Sequence, residues 1–178
     1  LFDAACKIDL GSGSGSVSGP EIAPGKHSMR FGITYSDWVF GAEGCRIFPQ
    51  ADFFKKQEMD PARVALGHAE ANSWVDVRAA ARAGFMLCFT NIGSERTVPD
   101  EVILGYIVAL ARQGYERQIM ISADFRYRVV DNALQASWPR DRYDYVFRAF
   151  VPRLRALGVA ATKLERIVEQ NPRAFLAF

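Results

Sequence analysis

Short apolar runs recur along the chain and predict buried β-strands. Five runs are long enough for a strand: residues 4–10, 31–35, 64–67, 85–89 and 118–122. Apolar residues fill consecutive positions in these runs and do not alternate with polar ones, as in parallel strands that are covered on both faces. The pattern therefore predicts a parallel sheet with helices packed against it.

The segments between and after these runs show helical spacing of their apolar residues. The predicted helices are residues 72–83, 102–112, 143–157 and 161–169. The first three are followed by Gly84, Gly114 and Gly158, which is typical of a helix C-cap. Pro152 lies inside the third helix and predicts a kink, and the fourth helix is expected to end before Asn171-Pro172. Strands alternating with helices define an α/β protein.

Chain length limits the architecture. A closed barrel of eight βα units needs ~250 residues, whereas this chain has 178 residues. It can therefore supply only the second half of such a barrel, as a single partial domain. An open parallel sheet of five strands is the alternative if the sequence is complete.

Composition and charge narrow the class of protein. Apolar residues make up 49% of the chain and charged residues 24%, which is ordinary globular composition and excludes wholesale disorder. The net charge of +2 comes from 22 basic and 20 acidic residues. These charges are interspersed, which argues against a nucleic-acid or membrane-surface partner. No apolar run reaches the roughly 18 to 20 residues that a spanning helix needs.

Cysteine usage and the start of the chain bear on the compartment. Cys6, Cys45 and Cys88 are odd in number and form no C-x-x-C pair, so we expect buried free thiols in a reducing, cytoplasmic compartment. The chain begins at Leu1 without the pattern of a signal peptide. Because the initiator Met is absent, we expect a segment upstream of Leu1.

A glycine-rich stretch separates the first two predicted strands. Residues 11–19 read GSGSGSVSG, a composition that predicts a flexible linker. A phosphate-binding loop is the alternative, but neither G-x-x-x-x-G-K-[ST] nor G-x-G-x-x-G is present. A nucleotide-binding module is therefore the weakest functional hypothesis.

Two predicted strands run directly into polar residues that could carry chemistry. Residues 64–67 lead into His68 and Glu70, and residues 118–122 lead into Asp124. Because the carboxyl ends of parallel strands share one edge of a sheet, His68 and Asp124 are expected to face the same crevice. Imidazole and carboxylate are suitable ligands for zinc, manganese or iron. A structural histidine and a helix N-cap aspartate are the alternatives.

Longer motifs resemble one known family. The stretches DPARVALGHAE (residues 60–70) and GYERQIMISAD (residues 114–124) resemble the sixth-strand and eighth-strand motifs of the phosphotriesterase-like family, a branch of the amidohydrolase superfamily. The ending, VPRLRALG (residues 151–158) followed by NPRAF (residues 171–175), is also typical of that family. The motifs occur in the family's order, so the chain resembles the C-terminal half of such a protein.

The resemblance implies a fold and a metal site. It implies a (β/α)₈ barrel of the TIM type, of which this chain holds strands four to eight. It also implies two metal ions, zinc first and manganese, cobalt or iron as alternatives, bridged by a hydroxide and a carbamylated lysine. His68 and Asp124 would be metal ligands, Asp124 would also be the catalytic proton acceptor, and Lys7 would be the bridging lysine. A surface lysine at a strand end is the alternative for Lys7.

The chain also departs from the family's pattern. The fifth strand should end in a metal-binding histidine, yet Tyr35 and Ser36 stand there, and His27 is expected to be a loop residue. Residues 11–31 fit the family poorly. The H-x-H pair of the first strand is absent because strands one to three are absent. With two histidines in the chain, a full binuclear site cannot be assembled from it, and the chain alone is expected to be impaired as a catalyst.

Substrate specificity in this family is set by the loop after the eighth strand. Here that is a long loop, residues 125–142, in which Phe125, Tyr127 and Trp138 are the candidate substrate-binding residues. Asn91, after the seventh strand, stands where the lactonase-like branch tends to carry arginine. The resemblance implies a small-molecule ester or organophosphate substrate.

Two functional hypotheses follow. In the first, the chain is a zinc-dependent hydrolase in which a metal-activated hydroxide attacks an ester or phosphotriester. In the second, it is a truncated or diverged family member with an incomplete metal site and no catalysis. An open half-barrel would expose sheet edges and apolar helix faces, which favours self-association, a homodimer included.

Overall fold

The structure is a computed structural model that describes residues 31–33, 47–93, 98–123, 127–130, 133–136 and 144–177. For residues 31–33, 127–130 and 133–136 the description is of the backbone. The predicted strand at residues 4–10 and the glycine-rich stretch lie outside these ranges.

In the described part of the chain, four parallel strands form the central sheet. They are β1 (Phe31–Ile33), β2 (Val64–Leu66), β3 (Met86–Phe89) and β4 (Ile119–Ile121), in the order β1-β2-β3-β4. Leu66 is the partner of Leu87, and Leu87 is the partner of Ile119. All four strands fall within predicted runs, and their carboxyl ends lie at the same edge of the sheet.

Three helices lie between these strands: α1 (Ile47–Lys56), α2 (Trp74–Arg82) and α3 (Asp100–Arg112). The hydroxyl of Ser73 accepts a 3.2 Å hydrogen bond from the Asp76 N–H and so caps the start of α2. After α2 the chain turns at Gly84, whose φ is +91°. Short 3₁₀ turns at Pro61–Arg63, Ala69–Ala71 and Glu116–Gln118 flank β2 and β4.

The C-terminal region holds helices that contain π-helical turns. A π-helical turn at Val146–Phe150 leads into α4 (Val151–Ala156), and α5 (Ala161–Glu165) leads through a second π-helical turn, Arg166–Gln170, into α6 (Asn171–Leu176).

The prediction that the last helix ends before Asn171-Pro172 is wrong, because the helical backbone continues to Leu176. Pro152 and Pro172 each lie in the first turn of an α-helical segment that follows a π-helical turn. Because the helical backbone is continuous at both points, each proline removes one hydrogen bond of the helix, and the adjoining π-helical turn is the local irregularity that accompanies this loss.

A hairpin follows the central sheet. β5 (Tyr127–Val130) pairs antiparallel with β6 (Ala133–Ala136). Residues 125–142 were predicted as a long loop, and the structure differs by containing these two strands. Tyr127, Val129 and Val130 have high β-propensity, which accounts for the extended backbone.

The sheet is covered on both faces. One face contributes Val64, Leu66, Leu87, Phe89 and Ile119 to the main core, which also contains residues of α1, α2, α3 and α4. The other face contributes Ala65, Met86 and Met120 to a smaller cluster with Phe175 of α6. This alternation of two apolar faces explains the uninterrupted apolar runs in the sequence. No helix in the described part of the chain has the length and apolar character that a membrane span requires.

Candidate active site

His68 follows β2 at the carboxyl edge of the sheet and has an uncommon backbone conformation. Its φ of +51° and ψ of +40° are left-handed, a region that residues other than glycine seldom occupy. The His68 carbonyl accepts hydrogen bonds from the Ala71 N–H at 3.0 Å and from Asn72 Nδ2 at 3.1 Å. These contacts hold a conformation that costs free energy, as is common at functional sites.

The imidazole of His68 contacts the end of the neighbouring strand. Its Nδ1 lies 2.7 Å from Thr90 Oγ1 and 3.0 Å from Asn91 Nδ2. The same nitrogen lies 3.5 Å from Glu70 Oε1, and the His68 side chain is 13% exposed. Thr90 and Asn91 directly follow β3, so the carboxyl ends of β2 and β3 meet around this ring.

The carboxylate of Glu70 accepts hydrogen bonds from both residues that follow β3. The residue is 2% exposed. Its Oε2 accepts the Thr90 N–H at 3.1 Å, and its Oε1 accepts the Asn91 N–H at 3.2 Å, Asn91 Nδ2 at 2.6 Å and the Thr90 hydroxyl at 3.2 Å.

Burial acts to raise the pKa of Glu70, but hydrogen bonds from His68, from its own N–H and from the two residues after β3 outweigh it. The pKa therefore lies below its ordinary value of 4.5, and the carboxylate is charged at neutral pH.

Glu70 was noted only as a polar residue beyond the strand that leads into His68, and neither it nor Thr90 was predicted to have a specific role. The signal that could have found Glu70 is its position two residues after the candidate ligand His68, directly beyond a buried strand. An acidic residue is seldom fully buried unless it is paired or hydrogen-bonded. Its partners come from the end of another strand, which a single motif does not reveal.

The carboxyl end of β4 lies beside the loop that follows β3. The Ser122 N–H donates to the Phe89 carbonyl at 2.8 Å, and the Ile92 N–H donates to the Ser122 carbonyl at 3.4 Å. Asp124 comes two residues after Ser122 and lies outside the described residues. The carboxyl ends of β2, β3 and β4 are thus assembled in series along one edge.

Most of the remaining predicted site residues lie outside the described residues, and one of them, Tyr127, is described by its backbone alone. Lys7, Phe125 and Trp138 lie outside the described residues, as do His27, Tyr35 and Ser36. Tyr127 lies in β5, where its backbone pairs with Ala136. Their proposed roles stay predictions.

The loop after β3 is tied to more distant elements through Asp100, which is 1% exposed. Asp100 Oδ1 accepts the Gly93 N–H at 2.8 Å, and Oδ2 accepts the Tyr145 hydroxyl at 2.8 Å. Arg153 of α4 lies 3.5 Å from the same Oδ2. These contacts connect the turn at Gly93 with α3 and with the helix that follows the hairpin.

Cys88 lies on the face of β3 that packs against the smaller cluster with Phe175, and it is a half-buried free thiol. Desolvation, and after it the negative charge of Glu70, raise its pKa to about 12. The thiol is therefore protonated at neutral pH and is a poor metal ligand or nucleophile. The prediction of a free thiol at this position agrees with the structure.

The described side chains contribute one of the predicted metal ligands. Within the ranges that the structure describes, no group of three or more His, Cys, Asp or Glu residues is placed to hold a metal ion. His68 nonetheless fits the position of a single ligand, because its Nδ1 is held by a buried cluster and its ring lies at the carboxyl edge of the sheet. A histidine bound to metal typically donates its other N–H to such a cluster.

Comparison with known proteins identifies the class. The model of the phosphotriesterase family matches residues 39–176, and the chain belongs to this family. The resemblance seen in residues 60–70 and 114–124 is thereby confirmed.

One curated relative is similar over part of this chain. The chain is 28% identical over 118 residues to the phosphotriesterase homology protein of Escherichia coli (strain K12). The aligned residues cover 66% of this chain and 39% of that protein. The chain thus spans about two fifths of the length of this curated relative.

Solved structures of relatives show the same fold. The Escherichia coli phosphotriesterase homology protein, complexed with phosphate in its active site, matches with a TM-score of 0.64 and 19% identity over 90% of this chain and 63% of that chain. The phosphotriesterase from Mycobacterium tuberculosis matches with a TM-score of 0.61 and 20% identity over 75% of this chain and 43% of that chain. The organophosphorus hydrolase from Deinococcus radiodurans matches with a TM-score of 0.63 and 22% identity over 72% of this chain and 42% of that chain. At these identities the likeness is one of fold.

Proposed function

We propose that the chain is part of a metal-dependent hydrolase of the phosphotriesterase or lactonase kind, acting on a small-molecule ester or organophosphate. Membership of the phosphotriesterase family supports the reaction class. The four-stranded parallel sheet corresponds in this proposal to part of the second half of a barrel, strands four to eight. The chain's coverage of 39% to 63% of its relatives is consistent with that assignment.

The observation that carries the proposal is the position of His68. Its ring lies at the carboxyl edge of the sheet, where barrel enzymes have their active sites. The buried, charged carboxylate of Glu70 and two side chains that follow the next strand, Thr90 and Asn91, lie around its Nδ1. This arrangement resembles the carboxylate–histidine–metal arrangement of metalloenzymes.

His68, Lys7 and Asp124 would hold the metal in this proposal, and zinc is the expected ion. A divalent metal supplies Lewis acidity, which polarises the substrate's phosphoryl or carbonyl oxygen and lowers the pKa of water. The carboxylate of Asp124 would accept the proton of the attacking water. Phe125, Tyr127 and Trp138 would line the substrate pocket.

Metal content and hydrolysis together test the proposal. The 178-residue chain is purified in buffer that contains zinc and bicarbonate, beside His68→Ala, Asp124→Ala and Lys7→Ala. His27→Ala is the matched control, because it removes the chain's other histidine. Zinc per chain is measured by elemental analysis, and turnover is measured with an aryl phosphotriester and with a lactone.

We expect bound zinc that is lost in the three site variants and retained in His27→Ala, with hydrolysis that follows the zinc content. A chain that binds no zinc, or one whose zinc is indifferent to His68→Ala, contradicts the proposal. The first of these outcomes favours a non-catalytic family member.

A further inference from the structure

The loop that follows β3, residues 90–93, has an acceptor for each of its four backbone N–H groups. The first two are donated to the Glu70 carboxylate at 3.1 and 3.2 Å, and the third to the Ser122 carbonyl at 3.4 Å. The fourth, of Gly93, is donated to Asp100 Oδ1 at 2.8 Å. Glu70 is 2% exposed and Asp100 is 1% exposed. Two buried carboxylates from different elements therefore hold the two ends of this loop.

The bond to Asp100 is at the end of the loop where the backbone has the most freedom. Gly93 has a φ of +82°, and glycine can leave this conformation at little steric cost. A Cβ there would lie 2.7 Å from the Tyr145 ring, so the ring lies against the backbone itself. Of the four N–H bonds of the loop this is the shortest. We infer that it selects the conformation of Gly93.

Asp100 is in turn held by residues that come after the hairpin. Its Oδ2 accepts the Tyr145 hydroxyl at 2.8 Å and lies 3.5 Å from Arg153 Nη1. Ser122, which accepts from the same loop, comes before the hairpin. The loop after β3 is thus attached to the chain on both sides of the hairpin, and Asp100 is the attachment on the C-terminal side.

We propose that Asp100 is a positioning residue for the candidate site, which holds the loop after β3 so that Thr90 and Asn91 lie around His68. Thr90 Oγ1 and Asn91 Nδ2 lie 2.7 and 3.0 Å from His68 Nδ1. They precede Gly93 by three and two residues, so a change of backbone at Gly93 displaces them. The effect on catalysis rests on the proposed function, whereas the placement of the loop does not.

The first measurement follows the loop in the metal-free chain by ¹H–¹⁵N spectra and amide hydrogen exchange. In Asp100→Ala we expect the Gly93 amide proton to move upfield, because it loses a hydrogen bond to a charged group. Its exchange should become about 10- to 100-fold faster. The amide signals of Thr90 and Asn91 and the ring signals of His68 should shift as well. His27→Gln assigns the ring signals, because the chain has two histidines.

An internal reference separates positioning from a general loss of stability. Val77 lies in α2, is fully buried and donates its N–H to the Ser73 carbonyl. A merely structural role of Asp100 would accelerate exchange at Gly93 and Val77 by the same factor. We expect the acceleration at Gly93 to be the larger one.

Conservative and control variants test the contact itself. Asp100→Asn retains an acceptor oxygen for the Gly93 N–H, and we expect it to restore most of the wild-type loop signals. Glu101→Gln is the matched control: Glu101 is the next residue, pairs with Arg153 at 2.7 Å and has a side chain that is 70% exposed. It should leave the signals of residues 90–93 unchanged.

A milder variant serves if Asp100→Ala does not fold. Tyr145→Phe retains the ring against Gly93 and removes one donor to the Asp100 carboxylate. It should shift the Gly93 amide signal in the same direction by a smaller amount.

The second measurement is hydrolysis of an aryl phosphotriester by the zinc-loaded chain. We expect Asp100→Ala to lower kcat about 10- to 100-fold, the scale of a small misplacement at a reacting centre, with a smaller change in KM. Asp100→Asn should recover most of this loss, and Glu101→Gln should keep the wild-type kcat.

The outcomes distinguish the two proposals. Loop and His68 signals that do not change in Asp100→Ala, or in Tyr145→Phe if the former is unfolded, overturn the positioning role. Equal acceleration of exchange at Gly93 and Val77, or a displaced loop with an unchanged kcat, overturns it too. A wild-type chain without hydrolysis, in which the loop and ring signals still depend on Asp100, contradicts the proposed function and leaves the placement of the loop by Asp100 established.

Discussion

The Tyr145 hydroxyl donates a 2.8 Å hydrogen bond to the carboxylate of Asp100, 45 positions earlier in the chain. The same carboxylate accepts the Gly93 N–H at 2.8 Å. One buried side chain thus connects the loop after β3, the start of α3 and the helix that follows the hairpin. A hydrogen bond to a buried charged group contributes more to stability than one between neutral groups.

Tyr145→Phe should lower the free energy of unfolding by about 1–3 kcal/mol, because a buried carboxylate oxygen loses a donor. Urea denaturation measures this change. The double variant Tyr145→Phe with Asp100→Asn should be less destabilised than the sum of the two single variants, since both remove the same hydrogen bond. Strictly additive effects would show that the two side chains are not coupled.

Gly93→Ala should destabilise the chain by about 1–3 kcal/mol. Gly93 has a φ of +82°, and a Cβ there would lie 2.7 Å from the Tyr145 ring. Gly105→Ala is the control in the opposite direction: Gly105 lies within α3 and a Cβ there meets nothing within 4 Å. It should stabilise the chain by about 0.5–1 kcal/mol through helix propensity. The midpoint of thermal denaturation measures both effects. The structure would be contradicted if the two variants shifted this midpoint in the same direction.

Acid should weaken the fold partly through Glu70. Its pKa is lowered in the folded chain, so its contribution to stability is present above the ordinary value of 4.5 and is lost as pH falls from there toward the folded pKa. Glu116 has a pKa that is lowered too, because hydrogen bonds from its own backbone and from Lys163 outweigh its burial.

Glu70→Gln should therefore flatten the dependence of unfolding free energy on pH below 4.5, and adding Glu116→Gln should flatten it further. Urea denaturation between neutral pH and about pH 3 gives this dependence. A slope that is the same in the wild type and in Glu70→Gln would show that Glu70 gains no stability from ionisation in the fold.

Cys88 should resist thiol reagents until the chain unfolds. Its pKa of about 12 leaves little thiolate at neutral pH, and its position on the face of β3 restricts access. In a Cys6→Ser/Cys45→Ser background, we expect maleimide to react about a hundredfold or more slowly with the folded chain than with the chain in urea. Similar rates in the two states would exclude the raised pKa.

Strands of the central sheet could be predicted from sequence because they are buried on both faces. β2, β3 and β4 each coincide with an apolar run, and no other pattern competes there. α1 was not predicted, although Ile47, Ala51 and Phe54 recur at helical spacing and are buried. Pro49 lies in its first turn, where proline is tolerated, and obscured that pattern. The last helix runs past Pro172 by way of the π-helical turn at Arg166–Gln170, which sequence does not reveal.

The candidate site was predictable only in part. His68 could be identified because it directly follows a strand, and strand ends are where α/β proteins place their chemistry. Glu70 could not, because its burial and charge depend on Thr90 and Asn91, about 20 positions further along the chain. Local sequence shows which residues lie at the carboxyl edge of the sheet, but not which of their side chains contact each other.

The second face of the sheet affects the order in which the chain can fold during synthesis. Ala65 and Met86 pack with Phe175, which the ribosome adds much later. Until then a nascent chain holds apolar strand residues without their cover, and contacts between residues so distant in sequence form slowly. Until α6 has been made and Phe175 packs on this face, the exposed strand residues make the growing polypeptide prone to aggregation.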